Sequence, residues 1–253
     1  MSGFALALRQ SYGIARSAAI YYGNPAKRRR ARGLYRRFIR RGDLCFDIGA
    51  HLGDRTGHFL ALGARVVALE PQPHLMRVLR WLYGGNPRVR LCEAAVGAAP
   101  GRATMLAAAA NPTVASLSRH WVARVAQRAE FRAIAWTERP PVAVTTLDAL
   151  IAEHGLPAFC KIDVEGYEAE VLKGLSQPLP ALSLEYLAAA SDIALEAIAR
   201  LAALGRYRFN LSAGETMRLA LPEWCSAAEM SRHLEALPSR HGSGDVYARL
   251  ADE

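Results

Sequence analysis

Apolar residues recur along this chain in two rhythms. Between Leu44 and Tyr186, short continuous apolar runs alternate with stretches of helical period. The runs LCFDI (44–48), RVVALE (65–70), RVRLCEAAV (88–96), PVAVTT (141–146), AFCKIDV (158–164) and ALSLEYL (181–187) read as strands. Apolar on successive residues rather than on alternate ones, they suit strands covered on both faces. Between them the spacing predicts helices over Asp54–Leu62, Pro73–Tyr83 and Tyr167–Leu175, and one capped by Thr145 or Thr146 with Asp148 in its first turn. Strands alternating with helices form βαβ units with right-handed crossovers, so the expected fold is α/β, a mostly parallel sheet with helices on both faces.

Either side of this zone the pattern changes. Residues 1–41 read as a helical appendage, an apolar stretch from Phe4 to Ile20 interrupted by Arg9 and Arg16, then a basic helix from Lys27 to Arg40. The remainder, 42–253, reads as one domain. Asn111–Pro141 lacks a clean period and carries Trp121, Phe131 and Trp136, so it is expected to cap a pocket. A hairpin is expected to begin within Ala103–Pro112. After Ala188 the pattern gives a helix ending at Leu204 before Gly205, strands at YRFNLS and MRLAL, a helix over Pro222–Leu237 and a terminal strand DVYARL.

Charge changes the picture only at one end. The net charge is +9, and from Lys27 to Arg41 there are nine cationic residues and no acidic one. No nucleic-acid motif accompanies them, which disfavours nucleic acid as partner. The basic helices read either as a solvated arginine face or as a peripheral contact with an anionic membrane or glycan. The N-terminal apolar run is too short for a transmembrane helix and lacks a signal-peptide pattern. None of the four cysteines forms a Cys-x-x-Cys pair, and three fall in strand-like runs. Buried free thiols in a reducing cytoplasm are expected, with no metal site of that kind.

Two segments carry chemistry. Asp47-Ile48-Gly49-Ala50-His51-Leu52-Gly53 joins a strand to a helix. Glycines there let a ligand approach the backbone, and the helix start offers free N–H groups. The second strand ends in Glu70, where a carboxylate can accept from ribose hydroxyls. A dinucleotide loop would place glycine at position 47. Asp47 would repel a pyrophosphate and attract an ammonium, which favours S-adenosylmethionine over NAD. The second segment, Lys161-Ile162-Asp163-Val164-Glu165-Gly166-Tyr167-Glu168, closes another strand at the sheet edge where ligands bind. Asp163 or Glu165 can serve as general base, and Lys161 can orient substrate or be a buried ion-pair partner. Glu185 ends ALSLEYL at the same edge.

With these residues in hand, the chain resembles the FkbM family of S-adenosylmethionine-dependent methyltransferases. FDIGAHLGDRT, VVALEPQP, EAAVG, TTLDAL and KIDVEGYEAEVLKGL follow one another in that family's order. His51 departs from the family's usual asparagine. The resemblance implies a class I methyltransferase (Rossmann-like) sheet, seven-stranded and mostly parallel, with an antiparallel strand near the C-terminus that DVYARL would supply. It implies S-adenosyl-L-methionine as cofactor and O-methylation of a sugar, glycan or small natural product. Asp47, Gly49, Ala50, His51, Gly53, Thr56, Glu70, Pro71, Ala95 and Asp163 are then expected to bind the donor. Asp163, Glu165, Lys161 and Glu185 form the expected catalytic set, with no metal ligand assigned, although a cation held by these carboxylates is conceivable. Two rival readings stay open: a non-catalytic S-adenosylmethionine or adenosine-binding module in a glycan-assembly complex, and an NAD-linked oxidoreductase.

Overall fold

The computed structural model describes residues 24–108, 111–128, 131–132, 134–238 and 241–251. The expected helix over Phe4–Ile20 lies outside them. Seven strands form the central sheet: β1 (Leu44–Ile48), β2 (Arg65–Leu69), β3 (Val89–Cys92), β10 (Phe159–Ile162), β11 (Ala181–Leu187), β12 (Tyr207–Ala213) and β13 (Ser243–Leu250). Their order is β12-β13-β11-β10-β1-β2-β3. β13 runs antiparallel to both its neighbours, and the pairings among β11, β10, β1, β2 and β3 are parallel. The order reverses at β1, so the carboxyl ends of β1 and β10 flank the crevice where such sheets bind ligands.

Helices cover both faces. One layer holds α1 (Pro25–Tyr35), α2 (Asp54–Ala61) and α3 (Pro73–Tyr83), whose buried side chains share a core with Cys45, Val66 and Phe159. The other holds α5 (Leu147–His154), α6 (Glu168–Lys173), α7 (Ser191–Leu204) and α8 (Ala227–Glu235), packed on Phe46, Ile162, Leu184 and Val246. Burial on both faces explains why β1 and β10 are buried at every residue and read as unbroken apolar runs. Among the described residues, no helix is long and apolar enough to cross a membrane.

Between β3 and β10 the chain builds a cap. β4 (Ala95–Val96), β5 (Gly101–Ala103) and β9 (Val142–Thr145) form one small sheet. β6 (Leu106–Ala108), β7 (Asn111–Ser116) and β8 (Thr137–Glu138) form another, with α4 (Arg119–Val125) following β7. Trp121 of α4 packs edge-on against Phe131 and Trp136.

Several boundaries differ from the sequence expectation, each for a local reason. RVRLCEAAV is two strands: β3 joins the central sheet, whereas β4 turns away at Glu93-Ala94 to pair with β9. The stretch 111–141 is more regular than its pattern suggests, because β7 and β8 both pair with β6 instead of with the central sheet. MRLAL is no strand. Met217 has φ 54°, in the left-handed region, and its side chain turns into the core. The helix expected over Pro222–Leu237 begins only at Ala227. A capping box sets that start: Ser226 Oγ accepts from the Glu229 N–H, and Glu229 accepts from the Ser226 N–H. The basic helix expected over Lys27–Arg40 covers Pro25–Tyr35 and then passes into turns, with the Phe38 and Ile39 N–H groups both donating to Tyr35.

Candidate active site

The loop after β1 is fixed by its backbone. The N–H groups of Gly49 and Ala50 both donate to the Leu69 carbonyl, at 3.0 and 2.8 Å. Gly49 has φ 81°, and a Cβ there would run into the carbonyl of Asp163. The close approach of the two chemical segments therefore needs glycine. His51 also has positive φ, and its N–H donates to Glu70 Oε2 at 2.9 Å. Glu70 Oε1 accepts from the Gln72 N–H at 2.9 Å. Burial, only partly offset by these two N–H groups, pushes the Glu70 carboxyl up to about 7.

Asp47 sits behind this loop, buried, and accepts from Thr56 Oγ1 at 2.5 Å. Its Oδ1 is buried with no hydrogen-bond partner among the described residues. Burial raises its carboxyl to about 6. A cationic group close by would relieve that cost, but Asp47, expected from sequence to touch the donor, is not among the residues lining the cleft beside the loop. Gly53, the left-handed N-cap of α2, receives the Tyr83 hydroxyl on its carbonyl at 2.8 Å.

A cleft of about 700 Å³ opens beside the loop. Gly49, His51, Glu70, Pro71, Ala95, Asp163 and Glu165, all expected from sequence, line it. Gln72, Val96, Met105, Leu117 and Tyr167 also line it and went unnoticed. Met105 and Leu117 belong to the cap, where no motif marks them. Ala50, Gly53 and Thr56 support the loop from behind without lining the cleft, and His51 is a neutral ring held near 4 by burial. The mixed lining, with the acids Glu70, Asp163 and Glu165 alongside Pro71, Val96 and Met105, fits a nucleoside-bearing donor such as S-adenosylmethionine.

At the far end lies the charged cluster. Lys161 is 0 % exposed and does not reach the cleft. Its Nζ lies 2.6 Å from Asp245 Oδ1 and 3.3 Å from Asp163 Oδ2. Burial would lower the lysine, but Asp163 and Asp245 outweigh it and hold the ammonium well above its ordinary value. Of its two sequence readings, the structure takes the ion-pair partner. Asp245 was not foreseen: it comes from the antiparallel β13, opposite Glu185 in register. Asp163 is pushed up by burial and pulled down further by Lys161 and Arg55, leaving it below its usual value. Glu165 and Glu185 stand well above theirs, through burial and then through the charge on Asp163. The cluster thus favours its single negative charge on Asp163 over Glu165 and Glu185.

Oxygens of Asp163, Glu165 and Glu185 all lie within 4.8 Å of one another. That spacing suits a shared proton or a divalent cation. Glu168 shapes the turn by accepting from the N–H groups of Val164 and Gly166, at 3.1 and 3.3 Å. Glu165 has φ 54°, and its carbonyl accepts from Ser116 Oγ at 2.6 Å, which ties the cap to the acid cluster.

Known proteins share this fold. The chain aligns at 10 % identity with a TehB-like SAM-dependent methyltransferase from Corynebacterium glutamicum, over 97 % of this chain and 99 % of that one, TM-score 0.50. It aligns at 13 % with an O-methyltransferase from Bacillus cereus solved in complex with SAH, over 99 % and 92 %, TM-score 0.50. These likenesses establish a class I methyltransferase fold. No curated protein sequence matches. The pattern of the methyltransferase FkbM domain matches residues 47–203, spanning both the glycine loop and the acid cluster, and the chain belongs to the FkbM methyltransferase family.

Proposed function

We propose that this enzyme transfers the methyl group of S-adenosylmethionine to a hydroxyl oxygen of a small acceptor, a sugar or glycan or a natural product. The donor supplies an electrophilic methyl on sulfonium. The protein holds the donor along Gly49–His51 and Glu70–Gln72, aligns the acceptor and takes the hydroxyl proton. One observation carries this reading: Asp163 and Glu165 line the cleft, and oxygens of Asp163, Glu165 and Glu185 converge within 4.8 Å, with Asp163 held below its usual value by Lys161 and Arg55.

Asp163 is therefore the proposed base. An alcohol becomes strongly acidic as its oxygen is alkylated, so a carboxylate of lowered basicity suffices to receive the proton late in the transfer. Glu165, which also lines the cleft, can hydrogen-bond an acceptor oxygen, and Glu185 stands beside it without lining the cleft. Lys161 is a positioning residue, acting through Asp163. The carboxylate spacing also supports a second reading, in which a divalent cation binds the acceptor oxygen.

Asp163→Asn tests the base. Turnover is expected to fall by about 10²–10⁴-fold with the calorimetric Kd for S-adenosylmethionine changed less than threefold (roughly 0.6 kcal/mol). Full turnover would remove Asp163 from the role. Donor binding with no transfer to any hydroxyl in an acceptor panel would favour a non-catalytic module. Binding of NAD in place of the donor would favour an oxidoreductase. Loss of turnover in EDTA, restored by Mg²⁺, would favour the cation.

A further inference from the structure

The outer side of the α1–α2–α3 layer is strongly cationic. α1 buries Ala31, Leu34 and Tyr35 against α2 and the sheet. Helical geometry then turns Arg29, Arg36 and Arg37 outward, with Arg30 and Arg32 half-buried beside them. Nearby acids are largely committed elsewhere: Glu215 pairs with Lys27 at 3.2 Å and with Arg55 at 3.0 Å. Among the described residues, Arg29, Arg30, Arg32, Arg36, Arg37 and Arg218 have no ion-pair partner. Six arginines on one face with few carboxylates among them repel one another, an arrangement that a polyanion would relieve.

The cations are also shaped into two concavities. On one side of α1, Arg29, Arg32 and Arg36 line a hollow of about 800 Å³. On the other, Arg30, Arg37, Arg218 and Arg249 line a groove of about 1220 Å³ against Trp224, with Glu223 as its acidic member. Gly33 lies in both, and a Cβ there would meet nothing within 4 Å. Glycine inside a helix weakens it, so this position gives up helical stability where the two hollows meet.

A second feature lies on the same layer. α2 and α3 follow successive parallel strands, β1 and β2, so right-handed crossovers place them on one face of the sheet together with α1. There Trp81 of α3 is 83 % exposed, beside the exposed Leu82. An exposed tryptophan beside an exposed leucine is the pattern of a headgroup-level anchor.

We infer that this face docks on an anionic lipid bilayer, with headgroup phosphates in the two arginine hollows and Trp81 at the interface. Arginine matches phosphate oxygens in pairs, and each cation near an anionic surface strengthens partition about fivefold at moderate salt. The contact needs neither donor nor acceptor, so it stands or falls separately from the methyl transfer proposed above.

The test is co-sedimentation of the full chain with vesicles of phosphatidylcholine and phosphatidylglycerol (3:1), and with phosphatidylcholine alone. Binding to the first is expected, weakened at high salt, with little to the second. Arg29→Gln/Arg32→Gln/Arg36→Gln and Arg30→Gln/Arg37→Gln/Arg218→Gln are each expected to lower partition by roughly a hundredfold. Trp81→Ala should weaken binding, and its tryptophan emission should shift blue on vesicles in the parent. Thermal melts and S-adenosylmethionine affinity, both expected unchanged, separate loss of docking from loss of fold. Equal binding to neutral vesicles, or triple variants that sediment like the parent, would overturn the inference. So would capture by RNA or a sulfated polysaccharide without vesicle binding.

Discussion

Replacing Lys161 by methionine removes the cation that balances the floor of the active site. The side chain is nearly isosteric, so packing changes little and the electrostatic effect is isolated. Its ammonium lies 2.6 Å from Asp245 and 3.3 Å from Asp163. At an effective dielectric of about 20, the attraction to Asp163 alone is roughly 5 kcal/mol, an upper bound before the ammonium's own desolvation is subtracted. Removing one partner of a buried pair costs about 3–5 kcal/mol, which for a chain of this size lowers Tm by roughly 6–20 °C. The pH dependence should also invert. In the parent, Asp163 is held below its unfolded value, so its contribution is present above that value and lost as pH falls through the folded one. Lys161 is held above its unfolded value, so its contribution is present below that value and lost only at still higher pH. Both therefore act together from about pH 5 to 9. In the variant, burial raises Asp163, and stability should decline as pH rises above about 4. Urea unfolding at pH 5 and pH 8 reads both effects. A loss below about 1 kcal/mol at pH 8, with parent and variant showing parallel pH dependence, would refute the electrostatic account of this pair.

Glu70 has the opposite sign. Its folded value near 7 lies above the unfolded one, so the free protein should lose about 3 kcal/mol of stability as pH rises from 4.5 to 7. Glu70→Gln should flatten that slope in calorimetric melts and weaken S-adenosylmethionine binding; an unchanged slope would assign the titration elsewhere. Gly49→Ala meets both a positive φ and the Asp163 carbonyl. It should destabilise by about 3 kcal/mol or more and abolish donor binding, whereas Gly85→Ala, with open space around it, should leave both intact. Ser116→Ala frees the carbonyl of Glu165 from the cap. Turnover should drop several-fold with donor affinity retained, as read by parallel kinetics and calorimetry.

The parallel half of the sheet was legible because β1 and β10 are buried throughout, β2 and β11 nearly so, and some helices have a marked start. Pro73 fixes α3, and Thr146 caps α5 with its hydroxyl accepting from the Ala149 N–H. Both halves of the site could be found because a glycine loop and a charged strand end break apolar runs abruptly. What the pattern concealed was non-local. Whether Lys161 faces the cleft or an ion pair depends on Asp245, which lies far along the chain and meets it only through the antiparallel placement of β13. The cap eluded the pattern for a related reason: its strands are short and pair among themselves, so neither period persists long enough to register. Met217 shows a third limit, since a single positive φ turns an apolar run from strand into turn.

The pairing of Lys161 with Asp245 also sets an order of events in synthesis. A ribosome delivers β1, β2, β3 and β10 long before Ser243–Leu250 emerges. Until that last strand inserts between β11 and β12, the lysine has half its compensation and the sheet has a gap. The enzyme's charge balance is thus completed by a strand made after the other six of the sheet, so a chain stopped short of it would carry an open, half-compensated core that proteases can recognise. The same contact that tunes the active site makes an unfinished chain easy to discard.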